Sequence, residues 1–119
     1  MQDPNTAFHP IDVEHWDRRQ YFYYFTKMLP TGYSLTVEVD VTETYRRAKA
    51  CGKRFFSAYL YLVTRLLNER PHFRMAEQEG RLGCYERLHP SYTVFHQDDK
   101  TMSSLWTWYS DRFSDFYDS

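Results

Sequence analysis

The sharpest alternation of apolar and polar positions lies at residues 33–41, "YSLTVEVDV". There Tyr33, Leu35, Val37, Val39 and Val41 alternate with Ser34, Thr36, Glu38 and Asp40. A period of two predicts a half-buried strand, with one face in a core and the other in water. Upstream, residues 14–29, "EHWDRRQYFYYFTKML", contain neither Gly nor Pro and set Trp16, Phe22, Phe25 and Leu29 near helical spacing. This predicts one helix, ended by Pro30 and Gly32.

Downstream, Thr42 is a candidate N-cap for a helix through "ETYRRAKAC", and Gly52 can close it in the left-handed conformation. A longer helix is predicted over residues 54–69. Its stripe of Phe55, Tyr59, Leu62, Leu66 and Leu67 is widened by Phe56, Leu60 and Val63, so most of its circumference is expected to be buried before Pro71 stops it. "FRMAEQ" and "RLGCYER" flank Glu79-Gly80 and read as a hairpin. The apolar run from Ser91 to Phe95 reads as a strand, and "MSSLWTWYS" as a further extended stretch. Ser110 then stands as the N-cap of a helix carrying Phe113, Phe116 and Tyr117. Only nine residues follow Ser110, so the sequence reads as cut within an element rather than finished.

Composition narrows the function. At 119 residues, with no linker or repeat, residues 1–119 read as one domain or part of one. Fifteen Lys and Arg against 16 Asp and Glu give a formal charge of -1, which argues against nucleic acid or an anionic membrane as partner. Aromatic residues make up 19%, 11 of them tyrosines, more than a dry core needs and suited to half-buried binding surfaces. Cys51 and Cys84 have neither zinc spacing nor the density of a disulfide framework, so a reducing, cytoplasmic setting is expected. "MQDPNTAFHP" lacks a basic region followed by an apolar one, and no run approaches the roughly 20 apolar residues of a membrane span. The chain therefore reads as soluble.

Local chemical motifs are sparse. Of the five histidines, His9, His15, His72, His89 and His96, no pair has the i, i+4 spacing of a zinc helix. His89 and His96, on either side of the apolar run, are an odd number of residues apart and would point to opposite faces of a regular strand. They read as structural or surface imidazoles, and no metal site is expected. There is no nucleophile elbow and no phosphate-cradling glycine loop. Acidic clusters at Asp98-Asp99 and across residues 111–118 read as solvated turns and helix faces. The run "YFYYF", Tyr21 to Phe25, wraps a helix, so its rings cannot all face one core and some must meet another surface.

Several longer segments together resemble a known family. "EHWDRRQYF", "YSLTVEVDVT", "KRFFSAYLYLVTRLLNERPHFRMA" and "HPSYTVFHQDDKTMSSLWTWYSDRFSDF", in that order, resemble the chloramphenicol acetyltransferases from about Phe8 to Phe116. The resemblance implies an α/β fold (an α+β two-layer sandwich), of which this chain is the amino-terminal part. It also implies a homotrimer with active sites in the clefts between subunits. Acetyl-CoA is the family's co-substrate and donates acetyl to the antibiotic's primary hydroxyl; no tightly bound cofactor is expected.

In that family the general base is a histidine in an H-H-x-x-x-D-G motif near the carboxyl end of a longer protein. This sequence holds no such motif, and none of its histidines matches it. The oxyanion-stabilising serine and most of the CoA tunnel also belong to the other half, so no catalytic residue is expected here. By resemblance, Tyr24, Phe25, Leu29, Tyr33, Thr93 and Met102 line the acceptor site. Phe25 matches an aromatic near the catalytic imidazole, and Met102 stands where phenylalanine is common. Arg18 matches an arginine that pairs with the motif's aspartate. The expected function is that of a truncated chloramphenicol O-acetyltransferase carrying much of the acceptor pocket and unable to catalyse alone. The alternative is a non-catalytic ligand-binding or subunit-association module.

Overall fold

In the computed structural model, residues 7–118 are described; residues 1–6, part of the stretch read for a leader, lie outside the described residues, as does Ser119. Helices and strands are mixed. Strand β1 (Phe8–Pro10) comes first, then a 3-10 turn (Val13–His15), helix α1 (Arg19–Tyr23) and a π turn (Tyr24–Met28). Helices α2 (Thr42–Ala50) and α3 (Phe55–Glu69) follow, and a 3-10 turn (Pro71–Arg74) leads into strands β2 (Met75–Gln78) and β3 (Arg81–Tyr85). Strands β4 (Ser91–His96) and β5 (Thr101–Trp106) precede helix α4 (Phe113–Asp118).

The strands form two antiparallel groups, a three-stranded sheet in the order β1-β3-β2 and the β4-β5 hairpin. The turn between β2 and β3 falls on Glu79 and Gly80, as expected, with φ of 54° and 76°. Two consecutive positive φ values match a two-residue hairpin whose twist follows that of its strands. Gly83, in the central strand, has a different role. A Cβ there would lie 2.5 Å from Cζ of Phe8 and 2.7 Å from the His9 carbonyl oxygen, so only glycine lets β1 close onto β3.

The helix expected over residues 14–29 is broken. Trp16 takes extended angles, φ −85° and ψ 130°, after the 3-10 turn, where His15 Nδ1 and Asp12 Oδ2 lie 2.7 Å apart. The extended residue lets the Trp16 ring fold back onto Phe22, 5.8 Å between centroids. The helix resumes only at Arg19 and widens into the π turn at Tyr24.

The clearest sequence pattern fails to give an element. Residues 33–41 join no ladder, and Tyr33 is 94% exposed. Alternation specifies which side chains share a face, but a strand also needs neighbours for its N–H and C=O groups. Among the described residues no strand lies beside it. At the next boundary Thr42 is the first residue of α2 and not its cap, and its N–H and Oγ1 both donate to Asp40 Oδ1, at 2.9 and 2.6 Å, so Asp40 supports the start of the helix. Gly52 closes that helix at φ 69°, as expected.

Helix α3 falls where periodicity put it but buries a different line. Tyr61 and Thr64 are its buried residues, while Phe56, Tyr59, Leu62, Val63 and Leu66 of the expected stripe are exposed. The small core gathers Tyr61, Tyr109 and Phe116, with Leu60 and Phe113 against it. Rings of Tyr109, Phe113 and Phe116 lie within 5.1–5.9 Å of the Tyr61 ring, and its hydroxyl donates to the Asp111 carbonyl at 2.8 Å. The helix α4 begins three residues later than the expected cap: Ser110 Oγ accepts from Arg112 N–H at 3.2 Å in the bend before it, and the Arg112 carbonyl accepts from Phe116 N–H at 3.2 Å.

Candidate functional site

The hairpin β4-β5 is held against α3 by side-chain to backbone bonds. Asn68, near the end of α3, donates to the Leu88 carbonyl at 3.0 Å and accepts from Leu88 N–H at 2.9 Å. His89 Nδ1 accepts from Tyr109 N–H at 2.7 Å, and its ring lies edge-on to Trp108 at 5.0 Å. Beyond it, His96 Nε2 and Ser103 Oγ lie 2.7 Å apart across the hairpin. The two histidines that bracket the apolar run are thus engaged in fixing the hairpin's base and tip.

This anchoring gives the hairpin two distinct faces. Tyr92, Val94 and Leu105 turn toward Phe56, Leu60 and Phe116 and line a shallow cleft with them. The opposite face carries Thr93 paired with Ser104 and Phe95 paired with Met102. Thr93 is exposed, as are Phe95 and Met102, the last at 71%. The structure therefore brings Thr93 and Met102 onto one surface and adds Phe95 and Ser104 to it. Period-two alternation along β4 marked Phe95 as sharing a face with Thr93, but its pairing with Met102 depends on the hairpin register.

The other four acceptor candidates lie on the π turn and just after it. Tyr24 and Phe25 open the turn, with rings 5.0 Å apart at 89°, and Leu29 follows its last residue. Tyr33 lies in the unpaired stretch beyond. All four are exposed, and only Tyr24 and Phe25 are in ring contact. Among the described residues no hydrogen bond or ring contact links this group to the hairpin face.

One concave surface of the described residues lies elsewhere. One groove of about 480 Å³ lies between Trp16, Phe22, Thr26 and Lys27 on one side and Met75, Ala76, Glu77 and Leu82 on the other. It contains none of the six candidates. Arg18 sits at the head of α1, where its carbonyl accepts from Phe22 N–H at 2.9 Å. Its neighbour Arg19 pairs with Glu14 at 2.9 Å. The Arg18 side chain is exposed and makes no ion pair among the described residues.

The electrostatics add no reactive group. Thr42 holds the Asp40 carboxyl below the usual carboxylate range by donating its hydroxyl and its N–H, and Thr101 does the same for Asp99. Burial pushes the Tyr109 phenol up, reinforced by the nearby Tyr61. Among the described residues no three His, Cys, Asp or Glu side chains converge to hold a metal ion. The arrangement offers exposed apolar and aromatic side chains with scattered hydroxyls.

Comparison with known proteins gives this surface a context. The family model for chloramphenicol acetyltransferase matches residues 6–119. A chloramphenicol acetyltransferase of Clostridium perfringens is 37% identical over 111 residues, 92% of this chain and 51% of the relative. One from Escherichia coli is 35% identical over 116 residues, 98% of this chain and 53% of the relative. Another, from Clostridioides difficile, is 41% identical over 102 residues, 85% of this chain and 46% of the relative. A solved chloramphenicol acetyltransferase superposes with a TM-score of 0.86 at 31% identity, over 94% of this chain and 53% of that one. The chain spans about half the length of the curated relatives it matches. With a family model covering nearly every residue and a fold that superposes so closely, this chain belongs to the chloramphenicol acetyltransferase family.

Proposed function

We propose that residues 1–119 are the amino-terminal part of a single chloramphenicol O-acetyltransferase domain and carry its acceptor-binding wall. On this reading Tyr24, Phe25, Leu29 and Tyr33 on one side, and Thr93 and Met102 on the other, face the antibiotic. Acetyl-CoA is the donor and is not retained as a bound cofactor. The observation that carries the reading is the family match over residues 6–119 together with exposed aromatic and apolar side chains at all the acceptor positions except Thr93.

Acetyl transfer requires a base to take the proton of the acceptor hydroxyl as its oxygen attacks the thioester carbonyl and the CoA thiolate leaves. The 119-residue sequence holds no H-H-x-x-x-D-G segment. His89 bonds the Tyr109 N–H at the base of the hairpin and His96 the Ser103 hydroxyl near its tip. A positioned general base contributes roughly 10²- to 10⁴-fold, so the chain alone binds the acceptor without turning it over. Arg18, exposed at the head of α1, pairs with the aspartate of that motif when the complementary half is present.

A second reading is favoured by the exposed apolar row Tyr33, Leu35, Val37 and Val39. On it, the chain acts as a subunit-association module, joining other copies in the trimer that the family resemblance implies. The free thiols of Cys51 and Cys84 agree with a reducing, cytoplasmic setting under either reading.

The test is to incubate the purified 119-residue chain with chloramphenicol and acetyl-CoA, follow CoA release, and measure chloramphenicol binding by calorimetry. Binding without acetyl transfer above background is expected. Turnover well above background would overturn the claim that the base lies outside this sequence. Absence of both binding and self-association would overturn both readings.

A further inference from the structure

The aromatic run contains a geometry that an α-helix does not provide. Residues adjacent in sequence do not face one another on an α-helix. Yet the Tyr24 and Phe25 rings meet edge to face, 5.0 Å between centroids and 89° between planes. Both stand at the head of the π turn, where Leu29 N–H donates to the Tyr24 carbonyl, five residues back, at 2.8 Å. Thr31 N–H then donates to the Phe25 carbonyl at 3.0 Å, and Thr31 Oγ1 to the Leu29 carbonyl at 2.6 Å. Inside the turn, Thr26 Oγ1 donates to the Phe22 carbonyl at 2.6 Å.

The Thr26 hydroxyl thus ties the turn to the helix before it, and the Thr31 amide ties its head to the residues just beyond it. A hydroxyl bonded to the carbonyl four residues earlier bends a helix, and single π turns recur at functional sites. In the ordinary α register Leu29 N–H would bond Phe25 instead of Tyr24. That register would take the Leu29 N–H from the Tyr24 carbonyl, the bond that widens the helix where the two rings meet.

We propose that Thr26, supported by Thr31, is a positioning residue for acceptor binding. It holds the π turn that sets Tyr24 and Phe25 as a fixed aromatic corner against which the acceptor's ring packs. This rests on the acceptor-wall reading above. A ring pair fixed in advance spares the ligand the cost of ordering it, which raises affinity without adding a contact.

The experiment compares the 119-residue chain with Thr26→Val, which keeps shape and loses the hydroxyl, and Thr26→Ser, which restores it. Amide exchange at Leu29 and Thr31 reads the turn without any ligand, and calorimetry with chloramphenicol reads the corner. In Thr26→Val, exchange at both amides is expected to quicken and affinity to fall, each about two- to tenfold, the scale of one net hydrogen bond. Thr26→Ser is expected to return both toward the unaltered chain. Unchanged exchange in Thr26→Val overturns the role of the hydroxyl in holding the turn. Faster exchange with unaltered affinity overturns its role in positioning the acceptor. Failure of the unaltered chain to bind chloramphenicol overturns the acceptor-wall reading itself, whatever the exchange shows.

Discussion

Asp40 and Asp99 make the same local structure at two places. Each accepts both the N–H and the hydroxyl of a threonine two residues on, at 2.9 and 2.6 Å in the first and 3.0 and 2.7 Å in the second. Hydrogen bonds to the charged form favour it, so both carboxyls titrate below their usual range, chiefly through the threonine hydroxyl. A folded value below the unfolded one adds stability above the unfolded pKa of about 3.9, and that stability is lost as pH falls through the folded value. Carboxyl carbon shifts followed by NMR from pH 6 to 2 are expected to show Asp40 and Asp99 titrating below the usual aspartate value of about 3.9. Thr42→Val should return Asp40 toward that value, and an unmoved Asp40 midpoint would contradict the assignment. Sequence pointed to Thr42 at this boundary, but a threonine can accept from its helix or donate to its predecessor. Only the path of the backbone chooses between them.

At the scale of elements, α3 separates what periodicity can and cannot give. Its length and ends were legible from the run between Arg54 and Pro71. Its buried line was not, because apolar residues cover most of the helix and the partner's position decides which of them is covered. The partner is the stretch from Tyr109 to Phe116, which packs on Tyr61. Tyr61→Phe removes the 2.8 Å bond to the Asp111 carbonyl and keeps the ring contacts. Urea denaturation should show a loss of about 0.5–1.5 kcal/mol with the slope unchanged. A loss well beyond that range would mean that the hydroxyl organises more than this one contact. The β2-β3 hairpin was the most legible element, since Glu79-Gly80 carries the turn chemistry in its own residues.

For the whole molecule, the balance of covered and uncovered apolar surface dominates. Four large apolar side chains between Tyr33 and Val39 are at least 67% exposed, and α3 shows an exposed row from Phe56 to Leu66. Surfaces of this size favour association. Sedimentation velocity is expected to find the 119-residue chain self-associated, and Leu35→Lys combined with Val39→Lys to shift it toward monomer. A monomeric chain that unfolds in one cooperative step would contradict this. The same exposure marks the candidate residues: Tyr24, Phe25, Leu29 and Tyr33 are all exposed, with Tyr24 and Phe25 in ring contact, and the hairpin register puts Thr93 and Met102 on one face. Resemblance named these residues one by one; the register of the hairpin and the π turn determined which of them stand together.

Sequence by itself determined the family, the mixture of helix and strand, the places where the chain turns and the absence of the family's histidine motif. These are properties of residue order and of local backbone preference, which act over a few positions. Tertiary structure decided the rest. It broke the first helix at Trp16 and left the best strand pattern without a ladder. It chose Tyr61 over its neighbours as the centre of the core, and it brought Tyr24 onto Phe25. The physical reason is common to all four. Burial, strand pairing and ring contact each need a second surface, and where that surface lies is a property of the folded chain and not of the segment that meets it.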